Sequence, residues 1–252
     1  MTAKSAKTSP ASGIEISILV PVMNESGNIA PLVDEICAAL AGRSFEIIYV
    51  DDASNDDSPA ELAATAARVP QLRVLRHEAR AGQSAAIRSA LLASRGRLIG
   101  VLDGDGQNPP SEIPKLAAPL LEDATGRIGL VAGQRVDRQD TASKKLASRF
   151  ANALRRTLLH DDTRDTGCGL KAFPRELFLQ LPFFDHIHRY LPALVKREGR
   201  EVALVDVSHR ARDAGASNYT NIGRAMVGAL DLVGVWWLIR RRKVAVVVSE
   251  DA

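Results

Sequence analysis

The chain has 252 residues, 25% of them charged, and a net charge of +3. This suits a soluble globular chain that buries one substantial core, and nothing global drives it toward nucleic acid. Aromatic residues make up 4%, too few for base-stacking platforms. The two cysteines, Cys37 and Cys168, lie far apart without metal spacing, which excludes a disulfide framework and points to a reducing compartment.

Residues 1–13 are polar and lack the apolar segment of a secretory signal, so they read as a disordered lead-in. Ile16 to Val20 is a short apolar run, a strand ended by Pro21. A polar loop leads to Asn28, which is placed to cap a helix from Ile29 to Ala41 whose apolar residues recur at helical spacing and which Gly42 ends. Phe45 to Val50 is a second strand, closed by Asp51 and Asp52. Helix follows to Arg68, with Asp56 and Asp57 as cap or first-turn charges. A third strand spans Leu72 to Leu75, and a helix runs from Gln83 to Ser94 after Gly82.

The fourth strand, Leu98 to Leu102, stops in Asp103-Gly104-Asp105-Gly106-Gln107-Asn108-Pro109-Pro110. The spacing has two readings. One is a polar turn with Asp as the capping residue. The other is a pair of carboxylates whose mutual repulsion a cation relieves, with hard oxygen donors that suit Mg²⁺ or Mn²⁺. Strands of five or six residues alternating with helices of ten or more predict βαβ units: an α/β fold with a mostly parallel sheet and flanking helices. In such a sheet the strand ends line one crevice, so Pro21 to Glu25, Asp51-Asp52 and Asp103 to Gln107 converge.

Beyond Pro110 the rhythm loosens. Glu112 to Leu121 predicts a helix, Ile128 to Ala132 a strand leading into Gly133-Gln134-Arg135, and Ala142 to Leu159 a helix carrying Arg149, Arg155 and Arg156. Arg155-Arg156 reads as a solvated face, and Cys168 as a small packing residue. Two short helices, Glu176 to Leu181 and Tyr190 to Glu198, precede a late strand, Val202 to Val207, and a basic loop from His209 to Tyr219.

Taken in order, Val20-Pro21-Val22-Met23-Asn24-Glu25, Val50-Asp51-Asp52-Ala53-Ser54 and Asp103 to Pro110 resemble the inverting glycosyltransferases of family 2, with the GT-A fold. Asp165-Thr166-Gly167-Cys168-Gly169-Leu170-Lys171 and Arg212-Asp213-Ala214-Gly215-Ala216-Ser217 narrow the resemblance to the dolichol-phosphate mannose synthase branch and its bacterial polyprenyl-phosphate relatives. It covers Ile16 to Tyr219. The resemblance implies that Pro21, Met23, Glu25, Val50 and Asp52 hold the nucleobase and ribose, and that Asp103, Asp105 and Gln107 bind the metal. It also implies that Arg135 and Arg149 lie near the phosphates, with Arg212 and Ser217 on a late loop beside them. Where the family often has Ser-Lys-Tyr, this chain has Ser217-Asn218-Tyr219, and Arg210 is the nearest replacement for the missing charge. Gly104, lacking a side chain, lets the donor approach the backbone.

A nucleoside diphosphate leaves well only if its growing charge is neutralised, which a metal and arginines do. A polyprenyl phosphate is already anionic and needs no base, whereas a sugar hydroxyl does. If a base acts, it is Asp165, whose other reading is an Asx turn. Lys171 reads either as a ligand contact or as a solvated strand-end lysine. His188-Arg189-Tyr190 resembles a family motif on the acceptor side, and His188 alone reads as a helix-start hydrogen bond.

Near the C-terminus, Val227 to Ile239 is an apolar run of 13 residues containing Asp231, followed by Arg240-Arg241-Arg242-Lys243. The run is too short to span a bilayer. It is either a membrane-interfacial segment with tryptophans beside cations or a helix packed on the sheet with a solvated basic end. Val244 to Val248 reads as an edge strand that would pair with another subunit of a homo-oligomer.

The expectation is a single GT-A domain over 14–219 and a C-terminal helix with a basic tail over 220–252. The function it implies is metal-dependent, inverting transfer of a sugar from a nucleoside diphosphate to a polyprenyl phosphate, peripherally at the cytoplasmic face of the membrane. The alternatives are transfer to a saccharide or protein hydroxyl, and a non-catalytic nucleotide-sugar-binding membrane scaffold.

Overall fold

The computed structural model describes residues 13–136, 155–161, 163, 165–210 and 221–243. Within them lie strands β1 (Ile16–Val22), β2 (Phe45–Asp51), β3 (Leu72–Arg76), β4 (Leu98–Val101), β5 (Ile128–Arg135), β6 (Lys171–Pro174) and β7 (Glu201–Val207). The helices are α1 (Ile29–Ala39), α2 (Ser58–Arg68), α3 (Gln83–Ala93), α4 (Ile113–Glu122), α5 (described over 155–159), α6 (Arg175–Gln180), α7 (Leu191–Arg197) and α8 (Asn221–Arg240). Short 3₁₀ turns cover Pro110–Glu112 and Ile187–Arg189.

The strands form one sheet in the order β3-β2-β1-β4-β6-β5-β7. All pairings are parallel except those of β6, which runs antiparallel to both β4 and β5. The chain winds outward from β1 to β3, then returns to the other side of β1 for β4. That reversal opens a crevice at the carboxyl ends of β1 and β4, where such sheets place their ligands.

Both faces of the sheet are covered, so its central strands are apolar on both sides. Ile16, Ile18, Val20 and Val22 of β1 pack toward α1, α2 and α4. Leu19 points the other way, into a cluster with Ile48, Val50, Ile99 and residues of α3, α6 and α7. At the amino end of the strands, buried Glu46 accepts hydrogen bonds from Ser17 Oγ (2.7 Å), Arg73 (2.6 Å) and the backbone N–H of Arg95 (2.6 Å), which closes that end with polar groups satisfied.

Several expectations change at the level of local physics. β1 continues through Pro21 to Val22 because its pairing with β4 stops at Leu19, so the missing proline N–H interrupts no ladder on that side. Asn28 does not cap α1; its amide donates to Glu25 instead (3.0 Å). The first turn of α1 is capped from another helix: Glu61 of α2 accepts the N–H groups of Gly27 (2.6 Å) and Ala30 (2.9 Å). Asp56 does act as expected, accepting the Ser58 N–H (3.0 Å) at the start of α2. Arg155 is not part of a solvated face. It is buried, donating to Thr163 O (2.7 Å) and facing Asp161 (3.3 Å), and Arg156 is the exposed member of the pair. Residues 1–12, most of the predicted helix from Ala142, and Val244 to Val248 lie outside the described residues.

α8 lies along α7. The Tyr190 hydroxyl donates to Gly228 O (3.1 Å), His186 Nδ1 to Asp231 (3.0 Å), and Arg197 Nε to Leu238 O (3.0 Å). Val235 is buried by this packing, while Val227, Leu230, Val233 and Trp237 face outward. Asp231 thus sits in an apolar helix because it has a partner across the interface.

Candidate active site

The loops after β1 and β2 are fastened to each other. Ser54 Oγ accepts the Asn24 N–H (2.9 Å), Ser58 Oγ the Glu25 N–H (3.0 Å), and Asn24 Oδ1 the Asn55 N–H (2.9 Å). Asn24 and Ala53 both adopt positive φ, +58° and +61°, the kind of backbone cost that surrounding bonds must hold in place. Beside them Ala53, Ser54, Arg76, His77 and Glu78 line a cleft. Pro21, Met23 and Glu25 are partly exposed, whereas the Val50 side chain is wholly buried in the core. The Val50 side chain therefore does not reach a ligand, a correction that follows from helices covering both faces of the sheet.

Asp52, at the end of β2, is saturated. Its carboxylate accepts the N–H groups of Ala81 (2.8 Å) and Gly82 (2.8 Å) and His77 Nδ1 (2.7 Å), and His77 in turn meets Ser89 (2.9 Å). Burial opposes its ionisation, but these donors outweigh it and hold the carboxyl below its ordinary range.

Asp103, at the end of β4, stands in the opposite state. Burial first, and Asp105 second, push its pKa up, against Lys171, Arg135 and the Gln83 amide, which donates to Oδ1 at 2.8 Å. Asn108 Nδ2 reaches its other oxygen at 3.4 Å. The carboxylate presses on the backbone of Gly169: a Cβ there would lie 1.9 Å from Asp103 Oδ2. Asp105 turns back to accept the Gln107 N–H (3.2 Å). Gln107 itself faces the segment after β7, with its carbonyl accepting the Arg210 N–H (2.8 Å) and its amide near Arg210 O (3.5 Å). Gly104 has a different reason from the one the sequence offered. A Cβ would meet Val22 at 2.3 Å and Pro21 O at 3.3 Å, so the chain's own β1 demands the glycine.

Arg135 and Asp165 form a two-pronged pair, Nε to Oδ2 at 2.6 Å and Nη2 to Oδ1 at 2.9 Å. The pair raises the Arg135 pKa still further, and Asp165 also receives the Gly167 N–H (3.2 Å) as an Asx turn. A carboxylate clamped in this way is a weak base. Lys171 is neither solvated nor at the rim. It is buried, donates to Cys168 O, and burial lowers its pKa. Cys168 packs in the core as expected. Arg210 pairs with Glu35 of α1 (2.9 Å), and Asn218 lies outside the described residues. Arg149, Arg212 and Ser217 lie outside the described residues.

The structure therefore brings Asp103, Asp105, Arg135, Asp165 and Lys171 together, with Asp52 joined to them through the start of α3. The sequence reading missed Gln83, Ser84 and His77. The signal was Gly82, with φ +91°, which ends the third βα loop at the same sheet edge as the aspartates. That loop carries no paired acids, so nothing in its own residues marks it.

The donor set fits a hard divalent cation. Two close carboxylates, one of them held in an unfavourable ionisation, gain from a positive ion between them. Among the described residues no three His, Cys, Asp or Glu side chains cluster, which leaves other coordination positions to water and phosphate oxygens, as Mg²⁺ prefers.

Comparison with known proteins agrees with the strand-end motifs. A family model described as "Glycosyl transferase family 2" matches residues 17–181. The chain is 32% identical over 237 residues to a dodecaprenyl-phosphate galacturonate synthase of Rhizobium johnstonii, covering 92% of this chain and 69% of that protein. It is 34% identical over 209 residues to an undecaprenyl-phosphate 4-deoxy-4-formamido-L-arabinose transferase of Pectobacterium atrosepticum, covering 81% of this chain and 62% of that protein. The chain thus spans about two thirds of these curated relatives. A glucosyl-3-phosphoglycerate synthase of Mycobacterium tuberculosis, solved with Mn²⁺ and uridine diphosphate, shares the fold with a TM-score of 0.69 at 22% identity, covering 90% of this chain and 80% of that one.

Proposed function

Because the chain belongs to glycosyl transferase family 2, we propose that it moves a sugar from a nucleoside diphosphate to a polyprenyl phosphate with inversion at the anomeric carbon. The observation that carries this reading is the Asp103–Asp105 pair at the β4 end, where burial and the neighbouring Asp105 disfavour the Asp103 carboxylate, a penalty that a cation between the two would offset. Its relatives' names supply the lipid-phosphate acceptor. The nucleoside end of the donor would occupy the cleft beside Ala53 and His77, next to Pro21, Met23 and Glu25. Asp103 and Asp105 would hold Mg²⁺ or Mn²⁺, with the Gln107 side chain as a further oxygen donor after it turns from Arg210. The cation, when bound, offsets charge on the departing diphosphate.

In this reaction an acceptor phosphate oxygen bonds to the anomeric carbon as the bond from that carbon to the diphosphate oxygen breaks. No proton has to move, and Asp165, clamped by Arg135, is poorly suited to take one. This favours a phosphate over a hydroxyl acceptor. Arg149, Arg212 and Ser217 retain the phosphate-side roles that the motifs suggest. Supplying radiolabelled donor with undecaprenyl phosphate or with free sugars tests the reading: label should enter the lipid only, and label in the sugars would overturn it.

We extend the proposal to the membrane. Among the described residues no helix is long and apolar enough to cross a bilayer. The outward stripe of α8 ends where Arg240 stacks on Trp236 (4.3 Å) and Arg241 lies over Trp237 (6.0 Å), a composition suited to peripheral docking on the cytoplasmic leaflet. Replacing Arg240, Arg241 and Lys243 by Ser should weaken sedimentation with anionic vesicles by about 1 kcal/mol per charge. Equal sedimentation of both proteins would remove α8 from that role.

A further inference from the structure

Arg155 and Asp161 form a buried ion pair that the reaction proposed above does not use. The charges meet at 3.3 Å. Arg155 Nη1 faces Asp161 without making a hydrogen bond, and Arg155 Nε has none among the described residues. Two charges taken out of water need close, fully hydrogen-bonded contact to offset their lost hydration. This pair falls short of that, so added stability does not account for it.

What the pair does fix is a stretch of main chain. Arg155 Nη2 donates to Thr163 O (2.7 Å), and Asp161 Oδ1 accepts the Thr163 N–H (3.4 Å). Two residues further on, a second buried side chain acts in the same manner. Gln134 Oε1 accepts the Asp165 N–H (2.9 Å), while its amide donates to Gly133 O (2.8 Å). The segment from Thr163 to Asp165 is therefore pinned at both ends, from α5 and from β5.

That segment carries the partner of Arg135. Gln134 and Arg135 are consecutive on β5, and they hold Asp165 by its backbone and by its carboxylate respectively. A two-pronged pair between flexible side chains survives small movements of either main chain. Its place in the crevice is set by whichever end is anchored, so Arg135 points where the anchored Asp165 puts it. A guanidinium already ordered in this way meets a phosphate with little orientational freedom left to lose.

We propose that Arg155 is a positioning residue, which acts through Thr163 and together with Gln134 to fix Asp165, so that Arg135 is aimed at the donor's diphosphate. The proposal rests on the transferase reading above and on the phosphate-side place that the motifs give Arg135.

The pair has to be replaced as a unit, since losing one partner leaves a buried charge alone. In the full chain, Arg155→Met with Asp161→Leu should keep or raise the thermal midpoint. By calorimetry it should bind Mn²⁺ within about twofold of wild type, yet bind pyrophosphate with Mn²⁺ about tenfold more weakly. Arg155→Lys, which keeps a cation for Thr163 O and Asp161, should bind pyrophosphate within about threefold of wild type. Pyrophosphate affinity unchanged in the double variant overturns the role of Arg155. So does a loss shared with Mn²⁺ and accompanied by a lower midpoint, which would make the pair part of the scaffold alone. Should the double variant fail to fold, Gln134→Met removes the other anchor and should show the same selective loss; equal binding there also overturns the proposal. A wild type that binds no pyrophosphate with Mn²⁺ overturns the transferase reading, and this role with it.

Discussion

Asp52 and Asp103 follow the strands on either side of β1, at one edge of one sheet, and both are bound by the same turn of α3. Their environments nevertheless drive them in opposite directions. Three donors converge on Asp52 and hold its carboxyl low, whereas burial and Asp105 push Asp103 up. The first carboxylate is a strut: its hydrogen-bonding capacity is spent inside the protein and fixes the loop from His77 to Gly82. The second is a receptor, whose missing partner has to come from outside. Proximity to a site is thus a poor guide to what an acid does there; the tally of donors around it is a better one.

The contrast is open to attack, most forcefully at Asp103. Asp103→Asn should reduce sugar transfer by about 10³-fold or more. It should also raise the thermal midpoint in metal-free buffer, because it removes a carboxylate held in an unfavourable state. A fall in that midpoint would show that Asp103 is a strut as well. Gly169→Ala attacks the same carboxylate indirectly. Its Cβ would require Asp103 to retreat from a position 1.9 Å away, and a displacement of that order should cost about 10²-fold in transfer. Unchanged Mn²⁺ affinity and turnover would break the link between Gly169 and the metal pair.

Asp52→Asn gives up charge-assisted bonds and should lower stability by about 2 kcal/mol in denaturant titration. Its pH dependence follows from the direction of the shift. The folded carboxyl titrates below the ordinary value of 3.8, so its contribution is full above that value and is lost as pH falls through the folded pKa. The gap between wild type and Asp52→Asn should therefore stay level from about pH 7 to 5 and close below 3.8. A gap that widened on acidification would sink the strut assignment. Arg76→Ala should have the smallest effect, under about 1 kcal/mol, because Arg76 is largely exposed where it meets Asp51 at 3.2 Å. A larger loss would mean that Asp51, too, depends on one partner.

Much of this arrangement was legible in the chain. Apolar runs of strand length ending in Pro21, Asp51-Asp52 and Asp103 mark three of the first four strands, and period and punctuation are local signals. The aspartate pair and its order after Val50-Asp51-Asp52 were legible for the same reason. What escaped was pairing across distance. β6 runs antiparallel between β4 and β5, which carries Lys171 inward beside Asp103; no pattern within Leu170 to Phe173 specifies that neighbour. Arg135 meets Asp165 across 30 residues, and the Cβ direction of Gly104 is filled by a strand more than 80 positions earlier. Val50 was misjudged because a motif names positions, while the helices packed on both faces of the sheet bury the side chains inside the strand and leave only its end at the crevice.

The cross-loop bonds from Ser54, Ser58 and Glu61 to Asn24, Glu25, Gly27 and Ala30 carry a thermodynamic signature. Two loops already tied together have little freedom left to lose when a nucleoside settles on them. Donor capture on that side of the crevice should register in calorimetry as heat rather than as a large entropy loss, and its on-rate should follow encounter rather than loop ordering.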